Sequence, residues 1–106
     1  MDVLYYESHV TVEPVFDERL EKFKEICAPH TFKPAKLLMK KRSFDTPVRS
    51  EYDTFCTGKN KNEEKLRLSM MLLIKDLIDN GFDVWRYKIE AILLDVKVKK
   101  DNALLR

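Results

Sequence analysis

His9 and Thr11 stand two residues apart in the stretch Glu7-Ser8-His9-Val10-Thr11-Val12-Glu13. Histidine exchanges a proton near neutral pH, and a threonine hydroxyl can donate to an anion. The spacing matters because a β-strand sends alternate side chains to opposite faces, so Glu7, His9, Thr11 and Glu13 leave one face together. Lys40 and Arg42 in "PAKLLMKKR" and Arg86 and Lys88 in "DVWRYKIE" alternate with apolar residues in the same way. If these stretches share a sheet, cations flank the His-Thr pair and can balance the charge of a phosphate. His9, Thr11, Lys40, Arg86 and Lys88 are therefore the candidate ligand-binding residues. A plainer account stands beside this one. The free face of an antiparallel sheet is normally polar, and cross-strand Glu–Lys or Glu–Arg pairs stabilise it by ~0.2–1 kcal/mol each with no ligand. His9 can equally pair with Glu7 or Glu90 across the sheet. No catalytic residue is assigned, because one histidine does not serve as both acid and base unless a second subunit supplies its partner.

The elements that must position these residues follow from periodicity. "VLYYESHVTVEP" alternates Tyr6, Ser8, Val10 and Val12 against the polar set and ends at Pro14. "FDERLEKFKEICAPH" repeats Leu20, Phe23, Ile26 and Cys27 at helical spacing, with Asp17 as the expected N-cap and a stop near Pro29. Residues 34–42 predict a strand with Ala35, Leu37 and Met39 inward and a charged end suited to a sheet edge. Residues 43–51 lack any period and predict a mobile loop. "YDTFCTG" predicts a third strand closed by Gly58. "NEEKLRLSMMLLIKDLIDNG" predicts a long helix capped by Asn62, with Leu66, Met70, Leu73, Ile74 and Leu77 on its apolar stripe and Gly81 at its stop. The final strand runs through "DVWRYKIEAILLDVKV", with Trp85, Tyr87 and Ile89 expected toward the helices and a bend expected around residues 91–94. The chain from Lys99 onward is expected to fray or to pack on a partner.

The order strand, helix, strand, strand, helix, strand predicts a ferredoxin-like βαββαβ sandwich of the α+β class, an antiparallel sheet with both helices on one face. Its first and third strands are central, so the His9 row crosses the middle of the uncovered face. At 106 residues the chain is long enough for one domain and one core, spanning residues 1–106.

On such a strand, His9-Val10-Thr11 resembles the histidine-x-threonine signature of the two-histidine phosphoesterases. The likeness covers one motif; that family uses two, from two related lobes of a longer chain. Here the third strand reads Phe55-Cys56-Thr57, with cysteine in place of the second histidine, and His30 in "HTFKP" lacks the spacing. What the resemblance implies is phosphate contact by His9 and Thr11 on a sheet face.

Composition narrows the remaining classes. Twenty basic residues against 18 acidic leave a formal charge of +2, so no overall field favours nucleic acid or an anionic membrane. RNA recognition on a sheet of this kind uses exposed aromatics on the central strands; Tyr5 and Phe55 are the candidates, and glutamates among them would repel the backbone. That reading ranks below a small anion. No signal-like segment or membrane span is present, which predicts a cytoplasmic protein. Cys27 and Cys56 show no close-spaced ligand pair with His9 or His30, so reduced thiols are expected and no metal or cofactor is implied. The loop "TGKNKNEE" offers Gly58, Lys59 and Lys61 ahead of a helix as a weaker anion site, although an ordinary strand-to-helix turn explains it. The alternative to ligand binding is a non-enzymatic interaction module that forms a homodimer through a sheet edge or face, with "KLLMKKR" and "ILLDVKV" as candidate edges.

Overall fold

The computed structural model describes residues 2–35 and 54–95. Its elements are β1 (Tyr5–Val12), α1 (Asp17–Cys27), a short 3-10 turn (Ala28–His30), β2 (Lys33–Pro34), β3 (Thr54–Asn60), α2 (Glu63–Asp79) and β4 (Val84–Ile92). The expected strand over residues 34–42 is described only at its start. Lys40, Arg42 and the loop at 43–51 lie outside the described residues, as do residues from 96 onward.

The four strands form one sheet in the order β2-β3-β1-β4, and every neighbouring pair is antiparallel. β1 and β3 occupy the middle. Their alternation decides the layers: Ser8, Val10 and Val12 of β1 and Cys56 of β3 are buried on one face. Both helices lie against that face. Leu20, Phe23 and Cys27 of α1 and Leu66, Met70, Leu73, Ile74 and Leu77 of α2 close over it, with Phe32 and Phe82 completing the core. This is the α+β arrangement expected from the pattern, and all five α2 positions predicted to face inward do so.

Local chemistry explains the element ends. Asn62 caps α2 by accepting the Lys65 amide at 3.0 Å, which satisfies one of the free N–H groups of the first turn. Gly81 follows the helix at φ 82°, a conformation in which a Cβ is strained. Asp17 is not the cap of α1: Phe16 holds the extended cap position and Asp17 is the first helical residue, at a positive φ of 53°. Gly58 does not close β3, which continues to Asn60. It sits opposite Ser8 on the core face, where a Cβ would come within 2.7 Å of the Phe32 ring. Glycine is there because an aromatic ring occupies the side-chain space.

Two expectations about β4 fail. Trp85 and Tyr87 are 48% and 54% exposed. β1 and β4 change register between Thr11 and Val12, so Trp85 falls between Arg86, paired with Thr11, and Val84, paired with Val12. An extra residue of this kind is a bulge, and it breaks the simple alternation. Its indole N–H donates to Asp83 at 3.0 Å instead of entering the core. Tyr87 does lie opposite Val10, on the helix side, but at the sheet edge. Val84 and Ile89 are the β4 residues that pack on the core. The strand is continuous to Ile92, and the chain bends at Leu93, within the span 91–94 where a bend was expected.

Candidate functional site on the uncovered sheet face

The pairing register aligns the uncovered face into rows. Thr57, His9 and Lys88 stand side by side on β3, β1 and β4, and Lys33 of β2 pairs with Thr57 to extend the row to the other edge. The next row holds Phe55, Thr11 and Arg86, and the previous one Lys59, Glu7 and Glu90. Four of the five predicted residues, His9, Thr11, Arg86 and Lys88, thus share this face, and together with Phe55 they line a shallow hollow of about 240 Å³. Lys40, the fifth, lies outside the described residues. Glu13, expected in the same polar row, lies past the end of β1, and its carboxylate accepts the Asp83 amide at 3.1 Å. Burial is the main cause that raises its proton affinity above the ordinary glutamate range.

His9 is held on both sides. Its Nε2 lies 2.8 Å from Glu7 Oε1, and its Nδ1 lies 3.1 Å from Thr57 Oγ1. A carboxylate can only accept, so a neutral ring carries its hydrogen on Nε2 and takes the Thr57 hydroxyl hydrogen at Nδ1. Glu7 also meets Lys59 at 3.8 Å, which makes Lys59, Glu7, His9 and Thr57 one chain of contacts. The Lys59 ammonium lies 5.3 Å from the centre of the Tyr5 ring. The Tyr5 hydroxyl donates to Asp95, and that carboxylate pushes the phenol up to about 12. At the other edge Lys88 pairs with Glu90 and holds it below the usual glutamate range. Among the described residues, Arg86 meets no carboxylate within 4.0 Å, and its charge is a minor contributor to holding Glu90 low.

Thr57 was not among the residues read from the sequence as a site. Its signal was indirect: in Phe55-Cys56-Thr57 a polar residue alternates with a buried one, but only the register shows that Thr57 stands beside His9. Phe55 was noted only as an aromatic; its ring centre lies 6.1 Å from that of His9. It also borders a second hollow of about 560 Å³, shared with Thr31, Lys33, Pro34, Ala35, Thr57 and Lys59. Lys59 therefore belongs to the sheet face and not to the turn before α2, because β3 runs past Gly58 to Asn60. His30 lies elsewhere: its Nε2 is 2.6 Å from Asp76 in a surface pair that ties the 3-10 turn to α2. A concavity beside α1 is lined by Leu20, Lys22 and four carboxylates, Asp17, Glu18, Glu21 and Glu25, so its net negative charge would repel an anion.

The chain matches no family model, no curated protein and no solved structure. Among the described residues, no group of three His, Cys, Asp or Glu side chains converges as metal ligands do, and no helix is long and apolar enough to cross a membrane. Cys56 stands opposite Val10 on the core face and is fully buried, and its thiol lies 3.8 Å from the Val10 carbonyl oxygen; a histidine two residues before Thr57 would fall at Phe55 instead. One imidazole is present on the uncovered face, with a threonine hydroxyl as its cross-strand neighbour.

Proposed function

We propose that this chain is a ferredoxin-like domain that binds a phosphorylated or otherwise anionic small ligand on its uncovered sheet face. The strand order β2-β3-β1-β4 with both helices on the opposite face supports the fold assignment. One observation carries the ligand reading: Arg86 projects beside Thr11 and Lys88 into a hollow on a central part of the sheet, and no carboxylate among the described residues neutralises it. A guanidinium offers paired donors that match phosphate geometry, and Thr11 adds a hydroxyl donor. Glu7 engages His9 and Lys59, and Glu90 engages Lys88, so the acidic residues of the face are partly neutralised.

His9 enters this reading as a group that orients Thr57 and stays close to the anion. The two-histidine resemblance is retained as phosphate contact by His9 and Thr11, without hydrolysis.

Calorimetric titration with inorganic phosphate, nucleoside monophosphates and cyclic nucleotides tests the proposal. Binding should weaken at least tenfold in Arg86→Ala, with the melting midpoint nearly unchanged because the side chain is exposed. Absence of heat with every one of these anions, at pH 6 and pH 8 alike, would remove the ligand reading.

A further inference from the structure

The outer edge of β4 is unpaired among the described residues, while its inner edge carries the ladder to β1. The Ile92 carbonyl accepts from Leu4 on the β1 side. Backbone groups alternate direction along an antiparallel strand, so Glu90 and Lys88 also point inward, and Tyr87, Ile89 and Ala91 aim their N–H and C=O groups at the free edge. Such an edge is a template for another strand.

We propose that the occupant is a second copy of this chain, joined through β4 in an antiparallel pair centred on Ile89. Self-complementarity carries this choice. About a two-fold axis at Ile89, each Ile89 meets its counterpart, each Tyr87 faces an Ala91, and each Lys88 faces a Glu90. Large side chains thereby meet small ones on the helix side, and opposite charges meet on the uncovered side. The parity also fits: Tyr87, Ile89 and Ala91 form the hydrogen-bonded pairs, and Lys88 and Glu90 the closer non-hydrogen-bonded ones. Moving the axis by one residue to Lys88 would set Lys88 against Lys88, which is unfavourable.

The apolar surface above this edge agrees with a covered state. Asp76, held by His30, marks the side of α2 that faces the turn after α1. Met71 and Ile78 project from roughly the opposite side of the helix, toward the layer over β4. They are 47% and 57% exposed, and Tyr87 of β4 is half exposed as well. Pairing through β4 would bring these residues of both copies together and extend the two sheets into one.

Sedimentation analysis of wild type, Lys88→Glu, Glu90→Lys and an equimolar mixture of the two variants tests this. Wild type should be a dimer. Each variant alone sets like charges opposite each other twice and should be a monomer, with unchanged circular dichroism. The mixture should recover dimers, because only the heterodimer again sets an acidic side chain against a basic one at both contacts. A wild type that remains monomeric at millimolar concentration overturns the proposal. So does a mixture that stays monomeric while its components are folded.

Discussion

At the scale of single residues, burial and hydrogen bonding separate positions that look alike in the sequence. Ser8 and Thr54 are both buried hydroxyl residues, but Thr54 accepts the Val15 amide at 3.0 Å whereas Ser8 Oγ has no partner among the described residues. A buried hydroxyl without a partner pays its desolvation cost with no return. Ser8→Ala should therefore leave stability unchanged or raise it by up to ~1 kcal/mol, whereas Thr54→Val should lower it by ~1–3 kcal/mol by stranding the Val15 amide. Urea melts of the two variants give the ranking, and the reverse order would show that Ser8 has a bonding role. Glu13 yields a pH dependence with a defined sign. Its proton affinity is raised by folding, so the folded state gains from protonating it below the ordinary glutamate pKa and loses that gain as pH rises through the folded value. Glu13→Gln removes the loss. The variant should gain stability relative to wild type between pH ~4 and pH ~7, read from thermal melts across that range. An equal difference at both ends would mean that the Asp83 amide bond, and not burial, dominates at this residue.

At the scale of elements, what was legible depended on how many neighbours a residue's fate required. α2 was fully legible because its stripe, its Asn62 cap and its stop are all local. The face of β1 was legible for the same reason: a strand with Val10 and Val12 buried must send His9 and Thr11 the other way. β4 was not, because the bulge at Trp85 arises from its register with β1, and because Tyr87 occupies an edge that the helices leave half exposed. Thr57 was missed as a site residue since its place beside His9 is set by cross-strand register. Gly58 was read as a terminator because glycine often ends a strand, whereas its local role is to admit the Phe32 ring. These corrections carry their own stability ranking. Gly58→Ala should cost ~1–3 kcal/mol, since the ring or the strand must shift to accept a methyl group. Trp85→Ala should cost far less than Phe23→Ala, whose buried ring is worth ~3–5 kcal/mol. Denaturant midpoints of the three variants decide the matter, and a Trp85→Ala loss as large as that of Phe23→Ala would place the indole in the core after all.

At the scale of the whole molecule, the core and the uncovered face are two sides of one sheet, so a ligand on the face should be felt by groups in the core. Cys27 of α1 and Cys56 of β3 are free, fully buried and in contact through their thiols. The bond to Cys27 and burial together push the Cys56 thiol well above its ordinary range, so it stays protonated and inert in the folded state. A buried thiol of this kind reacts only when its surroundings open. Because the pair bridges α1 and the central strand β3, exposure of both requires the helix layer to separate from the sheet. Alkylation by iodoacetamide should therefore be slow and should modify both cysteines together, with the singly modified chain a minor product in mass spectra. A ligand that binds only the folded state lowers the open population by the factor 1 + [L]/Kd, so an anion at about 100 times its Kd should slow alkylation about 100-fold when opening is at equilibrium. In Arg86→Ala the same anion at the same concentration should give far less protection. Rapid modification of Cys27 alone would mean that α1 detaches while the sheet stays intact, and protection undiminished in Arg86→Ala would mean that the anion binds somewhere other than the uncovered face.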